Sequence, residues 1–140
     1  MINEVGIFIN GVPLINRNYY GYEVDQFDRF LIYSFISALE IFYSTIFSQD
    51  LEYIKGTRSI LIFSKETVRI PKSEELYNII AYAVADNTIK NLDKRIKKTI
   101  QPRLKKVVSS FISQYPNPNY INVSKYDNFK KEIDKIFAIG

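Results

Sequence analysis

Between Ile89 and Tyr115 apolar residues recur every three or four positions, at Ile89, Leu92, Ile96, Ile100, Leu104, Val107, Phe111 and Tyr115. Over most of the chain before that stretch they sit instead in short runs bounded by turn-forming residues, the pattern of strands. This change of period, from two to near 3.6, restricts the chain to a mixed α/β architecture. With 140 residues there is length for one domain, whose strands must be buried by its own helices.

Val5-Gly6-Ile7-Phe8-Ile9 and Val12-Pro13-Leu14-Ile15 flank Asn10-Gly11, a pair that tolerates positive φ and so favours a two-residue hairpin turn. Alternation through that turn places Val5, Ile7, Ile9, Val12 and Leu14 on one face, and Phe8 and Ile15 on the other. Pro13 has no N–H for a ladder, so its strand belongs at a sheet edge. Asp25, with Asp28 three residues on, reads as the cap of a helix running to about Phe47. Phe27, Leu31, Phe35, Ala38, Leu39, Phe42 and Ile46 fill one side of that helix, and Arg29, Tyr33, Ser37, Glu40 and Ser44 form a narrow polar strip. Its apolar arc is wider than one sheet face requires.

Leu51-Glu52-Tyr53-Ile54 and Arg58-Ser59-Ile60-Leu61-Ile62-Phe63 read as two strands turning through Lys55-Gly56-Thr57, the first at an edge and the second interior. A polar loop is expected from Ser64 to Glu75, followed by a strand from Leu76 to Ala85 that is buried on both faces. In the long helix Pro102 lacks the N–H that would reach Lys98, so a kink or restart is expected there. Pro116-Asn117-Pro118-Asn119 ends it. Ser124 with Asp127 resembles a capping box opening a last helix, which buries Phe129, Ile133, Ile136 and Phe137.

The chain has no His, Cys or Trp, which removes thiol nucleophiles, histidine bases, serine triads, disulfides and Cys/His zinc sites. Neither glycine-rich phosphate-binding motif is present. Of the closest carboxylate pairs, Asp25 with Asp28 is explained by helix capping, and Glu74 with Glu75 by a solvated loop. No catalytic, cofactor-binding or metal-binding residue is therefore assigned, and a non-enzymatic protein is expected. Met1-Ile2-Asn3-Glu4 lacks the basic region of a leader, and the apolar stretch from Phe27 to Phe47 is too polar to span a membrane. These features point to a cytoplasmic protein, with peripheral membrane contact left open.

The order strand-strand-helix-strand-strand-strand-helix-helix describes an α/β/α sandwich: a five-stranded, mostly antiparallel sheet with one helix on one face and two on the other. Four segments make nearly the whole chain resemble a longin domain of the roadblock and longin superfamily, as a pattern of elements and hydrophobicity rather than a catalytic signature. These are the hairpin Val5 to Leu14, the apolar helix from Asp25, the strand Arg58 to Phe63, and the junction Ala83-Val84-Ala85-Asp86 leading into the long helix. Roadblock domains begin with a helix, which this chain lacks. The resemblance implies a non-enzymatic platform that pairs with itself or a related domain and binds or regulates a small Ras-like GTPase, as longin domains do in vesicle-trafficking machinery. Free-standing relatives of this kind occur in archaea beside such GTPases. With no heptad segment or apolar tail, a SNARE is not expected.

Two surfaces stand out. Ile32, Ile36, Tyr43 and Phe47 on the margin of the first helix, with Leu51 and Tyr53 on the edge strand, form a candidate dimer interface. The charge is uneven: residues 1–89 carry 7 basic against 11 acidic side chains, whereas residues 90–106 carry 8 against 1. Lys90, Lys94, Lys97, Lys98 and Lys105 lie opposite the apolar stripe and form a basic ridge. A solvated helix face is its simplest account. An acidic protein or an anionic membrane are alternative partners, and a Lys-rich ridge without interleaved aromatics makes nucleic acid the least favoured. Purified protein is expected to retain no GTP through gel filtration and to hydrolyse none; stoichiometric bound nucleotide would contradict this.

Overall fold

The computed structural model describes residues 2–19, 26–57, 59–69, 75–88, 90–119 and 122–138, with the backbone alone for 26–33. The expected cap Asp25, the side chains of Phe27, Asp28, Arg29, Leu31, Ile32 and Tyr33, and Arg58, Glu74 and Ile89 lie outside the described residues. In chain order the elements are β1 (Ile2–Ile9), β2 (Val12–Asn18), α1 (Gln26–Phe47), β3 (Tyr53–Lys55), β4 (Ser59–Arg69) and β5 (Leu76–Asp86). Then come α2 (Leu92–Arg95), a π turn (Ile96–Ile100), α3 (Gln101–Gln114), a 3-10 segment (Val123–Phe129) and α4 (Lys130–Ile136). The strands form one sheet in the order β2-β1-β5-β4-β3, with every neighbouring pair antiparallel. The fold is thus a mixed α/β sandwich around a five-stranded sheet, with β2 and β3 at the edges.

Asn10 and Gly11 both take positive φ, 49° and 83°, and close the β1–β2 hairpin as their side chains permit. Beyond the turn the alternation slips. Ile7 faces Ile15 while Phe8 faces Pro13, which leaves Leu14 as a bulged residue. Ile15 therefore lies with Val5, Ile7, Ile9 and Leu14 in one apolar cluster, not on the face of Phe8 as strict alternation implied. Without an N–H, Pro13 cannot continue a regular ladder, and the bulge absorbs the mismatch.

β4 is also longer than its apolar run. Ser64–Arg69 are strand rather than loop, because β5 pairs with them residue by residue out to Arg69 opposite Leu76. The ladder supplies what hydrophobicity does not, and Thr67 donates across the pair to Asn78 Oδ1 at 2.9 Å. At the centre, β5 is buried on both faces from Ile79 to Ala83. Ala81, Ala83 and Ala85 share the cluster of α3, and their small side chains let that helix approach closely.

The stripe Ile96, Ile100, Leu104, Val107 and Phe111 is buried, as its spacing predicts. Positions four apart drift by about 40° per step on an α-helix. The π turn over Ile96–Ile100 takes up this drift and removes any need for an N–H at Pro102, so the chain stays helical instead of restarting. The last helix differs from expectation at its start. Ser124 Oγ donates to Asn122 Oδ1, no side chain caps the helix, and α4 begins only at Lys130. Tyr126 is fully buried among the rings of Phe111 and Tyr115, and its hydroxyl donates to Asn119 O at 2.9 Å. Arg17 of β2 grips Asp134 of α4 through two bonds of 3.0 and 3.1 Å, and the Tyr19 hydroxyl donates to the same carboxylate. Burial alone would raise the Asp134 pKa, but these donors outweigh it and hold it below the usual value.

Gly6 stands opposite Tyr82, whose ring lies across it; a Cβ there would come within 2.6 Å of both the ring and the Ile15 carbonyl oxygen. Neither neighbour can give way, since Tyr82 is fixed by its hydroxyl bonds to Glu4 and Asn16. Gly6→Ala is expected to destabilise the fold by about 1–3 kcal/mol, the usual cost of overpacking, measured by urea unfolding.

Candidate functional site

The second face of the sheet is less apolar than the first. Phe8, Phe63, Ile80 and Tyr82 form a small cluster there with Ile36 of α1, and Leu51, Ile54, Leu61 and Val84 pack around it. Beside them lie the buried carboxylate of Glu4, which accepts from the Tyr82 hydroxyl at 2.7 Å, and Lys65. A face carrying these groups needs polar partners, and α1 supplies them by turning its polar strip inward. Ser37 is buried, Glu40 is only 2% exposed, and Ser34 Oγ donates to the Gly11 carbonyl at 3.2 Å.

Lys65 Nζ sits 2.8 Å from Glu40 and 3.1 Å from Asp50. Neither Glu40 oxygen has a well-angled hydrogen bond, so the ion pair itself opposes the cost of burying that carboxylate. Burial pushes the Lys65 ammonium pKa down, but Glu40 and Asp50 outweigh it and hold it above the ordinary lysine value.

The consequence is an inverted helix. Phe35 (69%), Phe42 (62%), Ile46 (59%) and Ile41 (50%) are open to solvent, and Ala38 between them is exposed. Amphipathicity alone implies that Phe35, Ala38, Phe42 and Ile46 lie on the buried side; the polar character of the sheet face reverses this. Of the proposed interface residues, Ile36 is core at 5% exposure. Tyr43 is half-buried with its ring 4.8 Å from that of exposed Phe47, and Leu51 packs on the cluster beneath α1. Tyr53 points to the opposite side of the sheet, where its hydroxyl donates to Asp93 at 3.1 Å. Tyr43 and Phe47 thus remain beside the open face, whereas Ile36 and Tyr53 leave it. The residues missed are Phe35, Ile41, Phe42 and Ile46. The signal for them was Lys65, two residues after Phe63 and so on the same sheet face, where a cation demands a carboxylate from the covering helix.

Lys90, Lys94, Lys97, Lys98 and Lys105 are all exposed, Lys90 in the turn before α2 and the others along α2, the π turn and α3. Among the described residues no group of His, Cys, Asp or Glu could hold a metal ion, and no helix is long and apolar enough to cross a membrane. No family model matches the chain, and neither does any curated protein.

Because the Lys65 pKa is higher in the fold than in the unfolded chain, its stabilising effect is complete below about 10.4 and lost as pH rises through the raised value. Lys65→Met is expected to cost about 3 kcal/mol by stranding Glu40, with most of that recovered when Glu40→Gln is added. Urea unfolding of the single and double variants checks this, and equal losses in both would contradict it.

Proposed function

We propose that the chain is a non-enzymatic adaptor of longin type. It pairs with a second copy of itself or a related domain through the outer face of α1, and in that form binds or regulates a small Ras-like GTPase. The observation that carries this reading is the open stripe Phe35, Ala38, Phe42 and Ile46, flanked by Ile41 and Phe47. Soluble surfaces rarely spend so many large apolar side chains on one contiguous strip without a partner. Edge strand β3 is close in sequence to the end of α1, and a standard interface needs only about 800 Å² from each partner. The strand order β2-β1-β5-β4-β3 with α1 between β2 and β3 supports the family reading.

A second reading is a peripheral module that meets anionic membrane through the lysine ridge, favoured by the exposure of all five lysines. Salt separates the two, since 0.5 M salt screens a ridge but not an apolar strip.

Sedimentation velocity is expected to show a dimer for the wild type that persists in 0.5 M salt. Phe42→Asp with Ile46→Asp should give a monomer with unchanged circular dichroism. A wild type that stays monomeric at high concentration eliminates pairing with itself. Gel filtration with Ras-like GTPases of the same cell, loaded with GDP or a GTP analogue, tests the docking step.

A further inference from the structure

We propose that the distal half of β4 is a strand-addition site for an acidic, extended segment of a partner protein. β3 pairs with only Ile60, Leu61 and Ile62 of this eleven-residue strand, and the Glu52 carbonyl accepts from the Phe63 N–H at 2.9 Å. The side-chain amide of Gln101 lies 3.5 Å from the Phe63 carbonyl oxygen. Past that point no described strand pairs with the edge. Because Phe63 directs its N–H away from β5, alternation directs those of Lys65, Thr67 and Arg69 the same way. Among the described residues these outward backbone groups meet no partner. The even-numbered residues face β5 as far as Val68, and the pairing register runs on to Arg69 opposite Leu76, so the free edge is held in the sheet.

A groove of about 720 Å³ runs beside this edge, between β4 and α3. Its α3 wall offers Val108 and Ile112, with Ser109, Lys105 and Lys106 at the rim. Among the described residues that line it, Glu66 is the one carboxylate, against Lys105 and Lys106 and the Lys65 already held by Glu40 and Asp50. A strand laid along Ser64–Arg69 would span roughly 20 Å and send every second side chain into this groove. Apolar side chains would meet Val108 and Ile112, and carboxylates would meet Lys105 and Lys106. Edges are commonly guarded by a lysine projecting over them. Here Lys65 is instead drawn onto Glu40 and Asp50, so its ammonium is engaged there and not projected over the edge. A second copy fits poorly: pairing β4 with β4 about a twofold axis would bring Lys105 and Lys106 of both copies together. An acidic partner has the opposite charge.

The probe is an eight-residue synthetic peptide alternating valine and glutamate, labelled for fluorescence anisotropy, with a valine and lysine peptide as control. The acidic peptide is expected to bind at least tenfold more tightly and to slow amide exchange at Lys65, Thr67 and Arg69. Thr67→Pro deletes one outward N–H and the side-chain bond to Asn78 while keeping the backbone ladder to β5, and Lys105→Glu with Lys106→Glu reverses the rim; each should weaken binding tenfold or more. Should Thr67→Pro fail to fold, the lysine variant and the exchange pattern decide. Equal binding of the two peptides, no binding, full binding by either folded variant, or protection elsewhere overturns the proposal. Protection of the same three amides by raised protein concentration alone would also overturn it, and would assign the edge to a second copy.

Discussion

One buried ion pair sets the orientation of α1, and the character of the surface follows from it. Glu40 is almost without exposure, and no neighbour except Lys65 neutralises it within 4 Å among the described residues. Removing either partner leaves a charge in a site that cannot solvate it, so the helix is constrained to the rotation that keeps them together. Ser34, on the Gly11 carbonyl, and buried Ser37 agree with that rotation. Among the described side chains of the helix, Ile36 is then the one in the cluster with Phe8, Phe63, Ile80 and Tyr82. The aromatic and aliphatic side chains a hundred degrees or more around the helix have nowhere to go but outward.

The opposite face of the sheet obeys ordinary apolar packing. Val5, Ile7, Ile60, Ile62, Ile79 and the alanines of β5 meet Ile96, Ile100, Leu104, Val107 and Phe111 without any polar group having to choose their arrangement. The last helix is attached at two points of different kind. The rings of Tyr126 and Phe129, in the 3-10 segment that leads into it, join those of Phe111 and Tyr115, and Asp134 is held by Arg17 and Tyr19 from the far edge of the sheet.

Where local chemistry and burial agreed, the structure was legible from residues alone. Asn10-Gly11 placed the first turn, the continuous apolar run of β5 placed the central strand, and the period of the long helix named its buried stripe. The places that could not be read are those where a distant partner decides. Ser64–Arg69 look like loop because their side chains are polar, yet β5 pairs them into the sheet. Leu14 bulges because Pro13 lacks a donor, which moves Ile15 to the other face. The rotation of α1 misled most, since amphipathicity says which side is apolar but not which side is covered. Only the parity of Lys65 relative to Phe63 carried that information, and it involves a residue on another element.

The position of β5 in the middle of the sheet also shapes how the chain can be made. β1 lies between β2 and β5, and the partner residues of Ile7 and Phe8 are Ala81 and Ile80, more than seventy positions later. During synthesis the first hairpin therefore emerges with one long edge unpaired, and stays so until β5 leaves the ribosome. Arg17 waits longer still, because Asp134 comes 117 positions after it. Contacts of such sequence separation make folding slow and late relative to translation. The stretch that most needs shielding in a nascent chain is thus Val5 to Ile9, which becomes one of the most deeply buried strands once folding is complete.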